Sequence, residues 1–447
     1  MQVTIRKSDT RGQVQVPSSK SLTIRGLMCA ALSKGESEIV NPLVSEDSEA
    51  AAAVLGQMGI KIRREDESWY VTGGTFRASA DDLYCGESAT TLRFMTAICS
   101  LIPGEHRLVG GPSLTRRPVK SLITALKMIG GKGSMEGKTT PPVTITGGPL
   151  KGGETELPGN ISSQFISALL LVAPFAEEEV SIRLTTPMTS KPYVLMTLRC
   201  LRQFGINVRT SWDKFVVPRK RYRPTRFEVE GDWSSASYFL ALGALSEGIQ
   251  VDNIRTGSLQ GDRVILDFLR SMVAKVMVSG SSVTVSRNAL RAINADLSDC
   301  IDLLPTMAVL AALADGTSVF TGIERARIKE SNRVAAVREG LQQLNIPVTE
   351  DKDRLTITGL LTEDKEKKED EDGYEEVAAE EFAGQVTPVQ ENIVIDSHED
   401  HRIAMAYGVF GAANGGVMID GAECVAKTFP SFWEMLRSVG AEVEMNE

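Results

Sequence analysis

The sequence has few of the residues that build disulfide bonds and metal sites. Its 447 residues include six cysteines, which stand singly and form no C-x-x-C pair, and three histidines. Isolated cysteines in apolar stretches are typical of reduced, buried thiols in a reducing compartment. We therefore expect a cytoplasmic protein without disulfides.

One short segment, S-H-E-D-H-R, could offer metal ligands from His398, Asp400 and His401. No third histidine lies nearby, and Arg402, which follows directly, would oppose a bound cation. Structural and catalytic zinc sites need three or four protein ligands. We therefore expect no metal.

Long apolar runs are also missing. The longest, residues 165–176, includes Pro174 and falls short of the roughly 20 residues that span a bilayer. Residues 1–20 have no apolar stretch of the kind that secretory signals carry. No basic stripe interleaved with aromatic residues is present either. We expect neither a membrane nor a nucleic acid as partner.

Acidic charge is concentrated in one segment. The net charge is −9, and residues 363–381 alone hold eleven acids and three lysines, a net of −8 that leaves −1 for the remainder. Most of this segment is poor in large apolar residues, which is typical of a solvated or disordered excursion. We interpret residues 362–391 as an acidic loop insertion.

The most informative feature that is present is internal repetition. A small polar or charged cluster followed by an Ala/Leu-rich stretch recurs six times. The repeats start near residues 19, 86, 162, 234, 302 and 400. The last interval is long by about the length of the acidic insertion. A repeat of about 70 residues accommodates two helices and about four short strands, and the apolar helices favour an α/β fold with helices packed inside.

Cations stand at the predicted helix starts, where capping does not explain them. Helix N-termini carry a positive partial charge and free N–H groups, so they disfavour cations and attract anions. The cations concerned are Lys20, Arg117, Lys329, Arg333, Arg402 and Lys427. Their recurrence predicts a pocket for ligands with several phosphates and carboxylates.

Two carboxylates accompany these cations. Glu330 lies beside Lys329 and three residues before Arg333, which places Glu330 and Arg333 on one helix face. Asp302 precedes another apolar helix. A carboxylate in a cationic, partly dry pocket can act as a general acid or base, although each could instead be a capping or ion-paired residue.

Nine segments, in order along nearly the whole chain, resemble the 5-enolpyruvylshikimate-3-phosphate (EPSP) synthase family. They are P-S-S-K-S-L-T-I-R (17–25), G-E-S-A-T-T-L-R (86–93), L-T-R-R-P (114–118), I-S-S-Q-F-I-S-A-L-L (161–170), S-K-P-Y (190–193), E-G-D-W-S-S-A-S-Y-F-L (230–240), K-E-S-N-R (329–333), E-D-H-R-I-A-M (399–405) and V-A-K-T-F-P-S-F (425–432).

The resemblance implies a two-domain inside-out α/β barrel, the enolpyruvyl transferase fold, with three βαβαββ units per domain. One domain would consist of residues 1–13 and 229–447, and the other of residues 14–228. The domains would close on shikimate 3-phosphate to create the phosphoenolpyruvate site. We expect a monomer, with these two small molecules as substrates.

The same resemblance implies roles for particular residues. The shikimate phosphate would be held by Ser162, Ser163, Ser190 and Lys329, and the rest of that substrate by Ser21 and Arg25, with Tyr193 alongside. The phosphoenolpyruvate phosphate would be held by Lys20, Arg117, Gln164 and Lys427, and its carboxylate by Arg333 and Arg402. An arginine fork suits a planar carboxylate better than a lysine does.

The implied reaction is addition followed by elimination. The 5-hydroxyl of shikimate 3-phosphate attacks C2 of phosphoenolpyruvate while C3 gains a proton, and the tetrahedral adduct then loses phosphate and that proton. Asp302 would take the hydroxyl proton, while Glu330 and Lys20 would serve C3 and the leaving phosphate; the division of roles among the three stays open. No cofactor is implied.

The chain departs from the common family pattern in one loop. Many members have G-N-A-G-T-A-M-R where this chain has G-E-S-A-T-T-L-R (86–93). Ala89 thus replaces a glycine that lies against phosphoenolpyruvate and against the inhibitor glyphosate. Its methyl group should crowd the longer inhibitor more than the substrate. Glu87 replaces an amide, which puts that position's ligand contact in doubt.

Two alternatives stay open. A related transferase that acts on UDP-N-acetylglucosamine shares the fold and the phosphoenolpyruvate chemistry, but it usually carries a reactive cysteine in the loop that corresponds to residues 110–118, where this chain has none. A non-catalytic protein that binds phosphorylated ligands would keep the cations but would not need Asp302 and Glu330.

Overall fold

The computed structural model describes residues 1–360 and 393–446, so the predicted acidic insertion, 362–391, lies outside the described residues. The described part divides into two units. The first consists of Met1–Val16, Trp233–Thr256 and Asp262–Glu447, and the second of Pro17–Asp232 and Gly257–Gly261. The predicted limits were 1–13 with 229–447, and 14–228; the main divisions lie three and four residues away, and Gly257–Gly261 belongs to the second unit rather than to the first.

Twelve α-helices lie in the described residues, two for each predicted repeat. They are α1 (Lys20–Leu32), α2 (Glu46–Gln57), α3 (Ala89–Cys99), α4 (Lys120–Met128), α5 (Ser163–Val172), α6 (Lys191–Gln203), α7 (Trp233–Leu245), α8 (Ile265–Ser271), α9 (Leu304–Ala312), α10 (Arg333–Gln343), α11 (His401–Asn414) and α12 (Phe432–Ser438). Each of the six polar clusters that mark the repeat starts lies at or within three residues of the beginning of a helix.

Twenty-four strands accompany these helices in the same residues. In the first half of the chain they are β1 (Gln2–Arg6), β2 (Arg11–Gln15), β3 (Gly35–Val40), β4 (Lys61–Glu65), β5 (Ser68–Gly73), β6 (Leu83–Tyr84), β7 (Gly104–Val109), β8 (Lys132–Met135), β9 (Val143–Gly147), β10 (Gly153–Leu157), β11 (Val180–Leu184), β12 (Arg209–Thr210), β13 (Lys214–Val217) and β14 (Arg226–Glu228). In the second half they are β15 (Gly248–Asp252), β16 (Lys275–Ser279), β17 (Ser282–Ser286), β18 (Asn294–Asp296), β19 (Thr317–Thr321), β20 (Val348–Asp351), β21 (Arg354–Thr358), β22 (Ile393–Asp396), β23 (Val417–Asp420) and β24 (Glu442–Asn446).

The strands form six four-stranded sheets of one topology, three in each unit. The first unit contains the orders β22-β23-β1-β24, β16-β17-β15-β2 and β18-β19-β21-β20, and the second contains β10-β11-β13-β12, β14-β3-β5-β4 and β6-β7-β9-β8. In every sheet one edge strand runs parallel to its neighbour, and the other two pairs are antiparallel. The repetition seen in the sequence is therefore a repetition of structure.

Two repeats exchange their first strands where the chain passes between the units. Elsewhere the parallel edge strand leads into the first helix of its own repeat, as β6 leads through α3 to β7. By contrast, β2 leads into α1 but pairs with β15, and β14 leads into α7 but pairs with β3. The sixth sheet also takes β1, which lies between β23 and β24.

The first helix of each repeat forms the core of its unit. Every residue of α3 and of α9 is buried, and a helix that is apolar on all sides must be surrounded by protein. In the first unit α11 packs against α7 and α9, and in the second unit α3 packs against α1 and α5. The sheets cover these helices, with alternate strand residues facing inward.

Candidate active site

Arg333 is the centre of the most highly charged cluster in the first unit. It is the first residue of α10, and its side chain is only 1% exposed. Its Nη1 donates to Asp302 Oδ1 at 2.6 Å, its Nη2 to Glu330 Oε2 at 2.5 Å, and its Nε to Asp400 Oδ2 at 2.7 Å. One guanidinium thus orients both predicted catalytic carboxylates of this unit.

Asp400 is the residue of this cluster that the sequence analysis considered only as a metal ligand. It is fully buried and caps the N-terminus of α11, where its Oδ1 accepts from the Arg402 backbone N–H at 3.0 Å. Its Oδ2 also accepts from Ser331 Oγ at 3.0 Å. Asp400 therefore joins the beginnings of α10 and α11 and fixes Arg333 between them.

The charges around Asp302 determine its protonation state. Lys329 Nζ donates to Asp302 Oδ1 at 3.2 Å, and Arg402 Nη2 lies 3.5 Å from Asp302 Oδ2. Burial alone would raise the pKa of Asp302. The field of the cations, from Arg402 first and then from Lys329 and Arg333, outweighs it and holds that pKa well below its usual range. Asp302 is therefore ionised.

The pKa of Lys329 is also lowered, but by burial rather than by neighbouring charge. Burial lowers its pKa to about 8, and the Asp302 carboxylate opposes the shift only in part. An ammonium with this pKa changes charge just above neutral pH. The affinity of this position for an anionic group should therefore depend on pH.

Three of the predicted cations stand ahead of helices rather than at their starts. Arg117 and Lys427 lie at the ends of 3₁₀ turns, Leu114–Arg116 and Ala422–Lys427, several residues before α4 and α12, and Lys329 directly follows the 3₁₀ turn Glu324–Ile328. The helix-start interpretation is wrong for them, because short 3₁₀ turns precede the helices. Lys427 Nζ instead donates to the Glu399 carbonyl at 2.8 Å.

In the second unit, Lys20 begins α1 and is paired with an acid that the sequence analysis did not single out. Its Nζ lies 2.9 Å from Asp47 Oδ2, in the first turn of α2, and its side chain is 16% exposed. The acid offsets the unfavourable position of a lysine at a helix N-terminus. Lys20 is thereby oriented while its charge stays partly accessible.

Arg25 is buried, and its side chain is bound by residues of its own unit. Its Nε donates to Thr197 Oγ1 at 2.8 Å, and its two Nη atoms donate to the carbonyls of Ser21 at 2.8 Å and Tyr193 at 3.2 Å. Its guanidinium also lies 5.4 Å from the Phe94 ring centre. Arg25 therefore ties α1 to α6 and positions the backbone of Ser21 and Tyr193.

Arg93, which the sequence analysis did not assign, connects several predicted ligands. Its Nη1 donates to Gln164 Oε1 at 2.6 Å and to Ser162 Oγ at 3.3 Å, and its Nη2 donates to the Pro118 carbonyl at 3.1 Å. Gln164 Nε2 in turn donates to Thr90 Oγ1 at 2.9 Å. A signal was available, because Arg93 follows Ala89 by four residues and shares its helix face.

Several other predicted residues of this unit lie where helices begin, whereas Arg117 precedes α4. Ser162 is the N-cap of α5, and Ser163 is the first residue of that helix. Ser190 precedes α6 with a left-handed backbone, φ 55°. Ala89 is the first residue of α3 and is 4% exposed, and Arg117 is 7% exposed. In all, the second unit holds ten of the predicted site residues and the first holds six.

Residues 1–360 and 393–446 contain no group of three or more His, Cys, Asp or Glu side chains that could hold a metal ion. The S-H-E-D-H-R segment, which was considered for metal binding, has other contacts. Asp400 accepts from Arg333, and His398 Nε2 lies 3.4 Å from Glu339 Oε2. In the part of the chain that is described, no helix has the length and apolar character needed to cross a bilayer.

Comparison with known proteins gives a consistent result. The family model for EPSP synthase (3-phosphoshikimate 1-carboxyvinyltransferase) matches residues 5–436. A 3-phosphoshikimate 1-carboxyvinyltransferase of Dehalococcoides mccartyi is 45% identical over 447 residues, 99% of each chain. One of Methanosarcina mazei is 36% identical over 456 residues, with 99% of each chain covered.

Solved structures agree in fold. An EPSP synthase structure from Acinetobacter baumannii superposes with a TM-score of 0.77 at 28% identity, covering 99% of this chain and 100% of the other. The enolpyruvyl transferase NikO from Streptomyces tendae superposes with a TM-score of 0.73 at 17% identity, covering 99% and 98%. The predicted enolpyruvyl transferase fold is confirmed.

Proposed function

The chain belongs to the EPSP synthase family, and from this premise we propose that it transfers the enolpyruvyl group of phosphoenolpyruvate to the 5-hydroxyl of shikimate 3-phosphate with release of phosphate. It is a carboxyvinyl transferase of the shikimate pathway, as the resemblance predicted. The observation that carries the residue assignments is Arg333, which holds Asp302 and Glu330 beside two further cations.

In the addition step, we assign the two carboxylates to the two proton transfers. Asp302 accepts the proton of the 5-hydroxyl as the oxygen bonds to C2, and Glu330 delivers a proton to C3. In the elimination step the C2–O bond to phosphate breaks, C3 returns its proton to Glu330, and Asp302 passes the hydroxyl proton to the departing phosphate, which the Lys20 ammonium stabilises. The pair of carboxylates and one ammonium balances every proton in the cycle without a cofactor.

The low pKa of Asp302 fits this role only when substrates are bound. In the free protein its cations make it a weak base. Anionic phosphate and carboxylate groups would draw on the same cations, Lys329 and Arg402, and thereby raise the pKa of Asp302 toward the working pH. The base would thus become effective when its substrates arrive.

The ligand roles are assigned by the same logic. We propose that Ser162, Ser163, Ser190 and Lys329 bind the shikimate phosphate, and that Ser21, Arg25 and Tyr193 bind the rest of that molecule. We further propose that Lys20, Arg117, Gln164 and Lys427 bind the phosphate of phosphoenolpyruvate, with Ala89 against it. Four N–H···O contacts of Arg333 already go to carboxylates, so Arg402 would take most of the phosphoenolpyruvate carboxylate.

Phosphate release tests the activity against its alternatives. The protein should release phosphate when given phosphoenolpyruvate and shikimate 3-phosphate, and not when UDP-N-acetylglucosamine replaces the latter. Phosphate release from phosphoenolpyruvate with UDP-N-acetylglucosamine, but not with shikimate 3-phosphate, would establish the other transferase activity. Binding of both shikimate pathway substrates without release would establish a non-catalytic binding protein.

The pKa of Lys329 predicts a pH profile. A protonated ammonium binds the phosphate dianion, so kcat/KM for shikimate 3-phosphate should fall about tenfold per pH unit above pH 8, as this group loses its proton. Lys329→Met should give a low value that no longer falls in that range. Lys352→Met, at an exposed lysine, should keep the wild-type profile. An unchanged fall in Lys329→Met would assign the titration to another group.

Ala89 predicts weakened inhibition by glyphosate. One methyl group in a tight pocket changes affinity by roughly 10-fold or more, and Ala89 is almost fully buried at the start of α3. Ala89→Gly should therefore lower the glyphosate inhibition constant about tenfold or more, while the KM for phosphoenolpyruvate changes by less than about threefold. Equal inhibition constants in the two proteins would contradict this.

The buried thiols support a cytoplasmic location. All six cysteines are free and buried, and burial raises the pKa of Cys85 and of Cys200 to about 12, so both are unreactive thiols. A reducing compartment suits such residues. That the protein acts as a monomer stays a prediction, which sedimentation of the full chain would check.

A further inference from the structure

Glu87 makes contacts that the proposed reaction does not use. It lies two residues before α3, directly ahead of Ser88, the N-cap of that helix. Its Oε2 accepts a hydrogen bond from the Ser113 backbone N–H at 3.1 Å and a second, short one from Ser113 Oγ. Ser113 is 4% exposed and Glu87 is half-buried, so the Ser113 end of the pair is shielded from water.

The Glu87 carboxylate also packs against the backbone of Gly111, two residues before Ser113. A Cβ on Gly111 would overlap Glu87 Oε1, so only a glycine allows the carboxylate to lie this close. Next to it, the Gly111 N–H donates to the Gly86 carbonyl at 2.9 Å. Residues 86 and 87 therefore hold residues 111 and 113 through both backbone and side chain.

The segment that is held in this way carries Arg117. Residues 110–117 lie in the connection from β7 to α4. Their own backbone bonds are two short turns, from Leu114 N–H to the Gly111 carbonyl and from Arg117 N–H to the Leu114 carbonyl, each 3.0 Å. Two such turns define a local shape but do not fix where the segment lies. Its position depends on contacts with the rest of the unit, namely those of Glu87 and Gly86 and those of the Leu114 side chain, which is buried in the core.

We infer that Glu87 is a positioning residue. Its carboxylate binds residues 110–117 to the start of α3 through Ser113, and so places Arg117 for the phosphate of phosphoenolpyruvate. The inference rests on the proposed function for the identity of that ligand. Supporting contacts of this kind matter because a displacement of about 1 Å can cost roughly a hundredfold in rate. The acid at this position thus has a contact within the protein rather than with the ligand.

The geometry supplies a graded set of variants. Both hydrogen bonds end on one oxygen, Oε2, so the carbonyl of a glutamine can accept both, and Glu87→Gln should behave nearly as the parent. Ser113→Ala removes one donor and keeps the N–H. Glu87→Ala removes the acceptor of both bonds. Glu105→Gln, at an exposed position on β7, serves as the matched control.

Steady-state kinetics should separate these variants by their KM for phosphoenolpyruvate. We expect a rise of about tenfold or more in Glu87→Ala, a smaller rise in Ser113→Ala, and less than about threefold in Glu87→Gln. The KM for shikimate 3-phosphate and kcat should each stay within about threefold of the parent. An unchanged KM for phosphoenolpyruvate in Glu87→Ala would overturn the positioning role of Glu87. So would a rise in Glu87→Gln as large as the rise in Glu87→Ala.

Hydrogen exchange of the full chain without substrates tests the positioning role of Glu87 independently of catalysis. Backbone amides of residues 110–117 should exchange faster in Glu87→Ala than in the parent, and at the parental rate in Glu87→Gln and Glu105→Gln. If the parent releases no phosphate from the two substrates, the proposed function fails, but hydrogen exchange still shows whether Glu87 holds residues 110–117 in place. If Glu87→Ala does not fold, Ser113→Ala carries both measurements; parental exchange and parental KM in it would overturn the inference.

Discussion

Replacement of Glu330 by glutamine is expected to lower kcat by about 100- to 1,000-fold, the range that follows from losing one general acid–base group. The amide keeps the size of the side chain, and its carbonyl oxygen can still accept from Arg333 Nη2. The substitution therefore preserves the packing but removes the group that gives a proton to C3 and takes it back. The KM values should change little, because Glu330 is not assigned to binding either substrate.

The proton at C3 gives this expectation a specific readout. In heavy water the parent should exchange deuterium into C3 of phosphoenolpyruvate when the second substrate is present, since the adduct forms and collapses reversibly. Glu330→Gln should slow that exchange as much as it slows turnover. The control is Glu339→Gln, at an exposed position on the same helix, α10. Exchange at the parental rate in Glu330→Gln would assign the C3 proton to another group.

Replacement of Arg333 by methionine is expected to destabilise the first unit strongly. It leaves Asp302, Glu330 and Asp400 close together without the cation that binds all three. Breaking a buried pair by removing one partner costs about 3–5 kcal/mol. For a folding unit of this size, that corresponds to a fall of roughly 8 to 15 °C in the unfolding midpoint.

The pH dependence of the loss provides its test. Arg333 is one of the three cations that hold the pKa of Asp302 well below its usual range, and a carboxyl with a lowered folded-state pKa contributes stability that is lost as pH falls through that pKa. Without Arg333 the pKa of Asp302 should rise, so the deficit of Arg333→Met should be smaller at pH 3.5 than at pH 7, as measured by calorimetry on both proteins. Arg338→Met, at a partly exposed arginine of α10, should show a small deficit at both values. A deficit of equal size at pH 3.5 and 7 would show that charge is not its cause.

Much of this fold could be predicted from the sequence because its pattern is repeated. Six apolar helical stretches, each opened by a polar cluster, have no stable place except a shared interior, and α3 and α9 are buried in full. Chain order, however, does not determine which strand pairs with which. The exchange of β2 and β14 does not follow from the pattern, because a parallel edge strand has the same pattern whichever repeat it completes; only the family resemblance, which grouped residues 1–13 with 229–447, indicated it.

The site was predictable as a set of cations and less so as a network. Lys20, Arg333 and Arg402 stand out because a cation is unfavourable where a helix begins. Asp400 and Asp47 do not stand out, since an acid before or within the first turn of a helix is the ordinary capping choice. Their second function, to orient Arg333 and Lys20, depends on side chains that are far apart in sequence and become neighbours only on folding.

The exchanged strands have a consequence for the order in which a nascent chain can complete its parts. The second unit needs nothing beyond residue 261, so it can form while the remainder is still being translated. The first unit needs β1, which lies between β23 and β24, so its earliest-made strand waits for the last-made one. The apolar residues Val3 and Ile5 therefore stay without their sheet during most of synthesis, and we expect the N-terminal strand to be the part of the newborn polypeptide on which chaperones act.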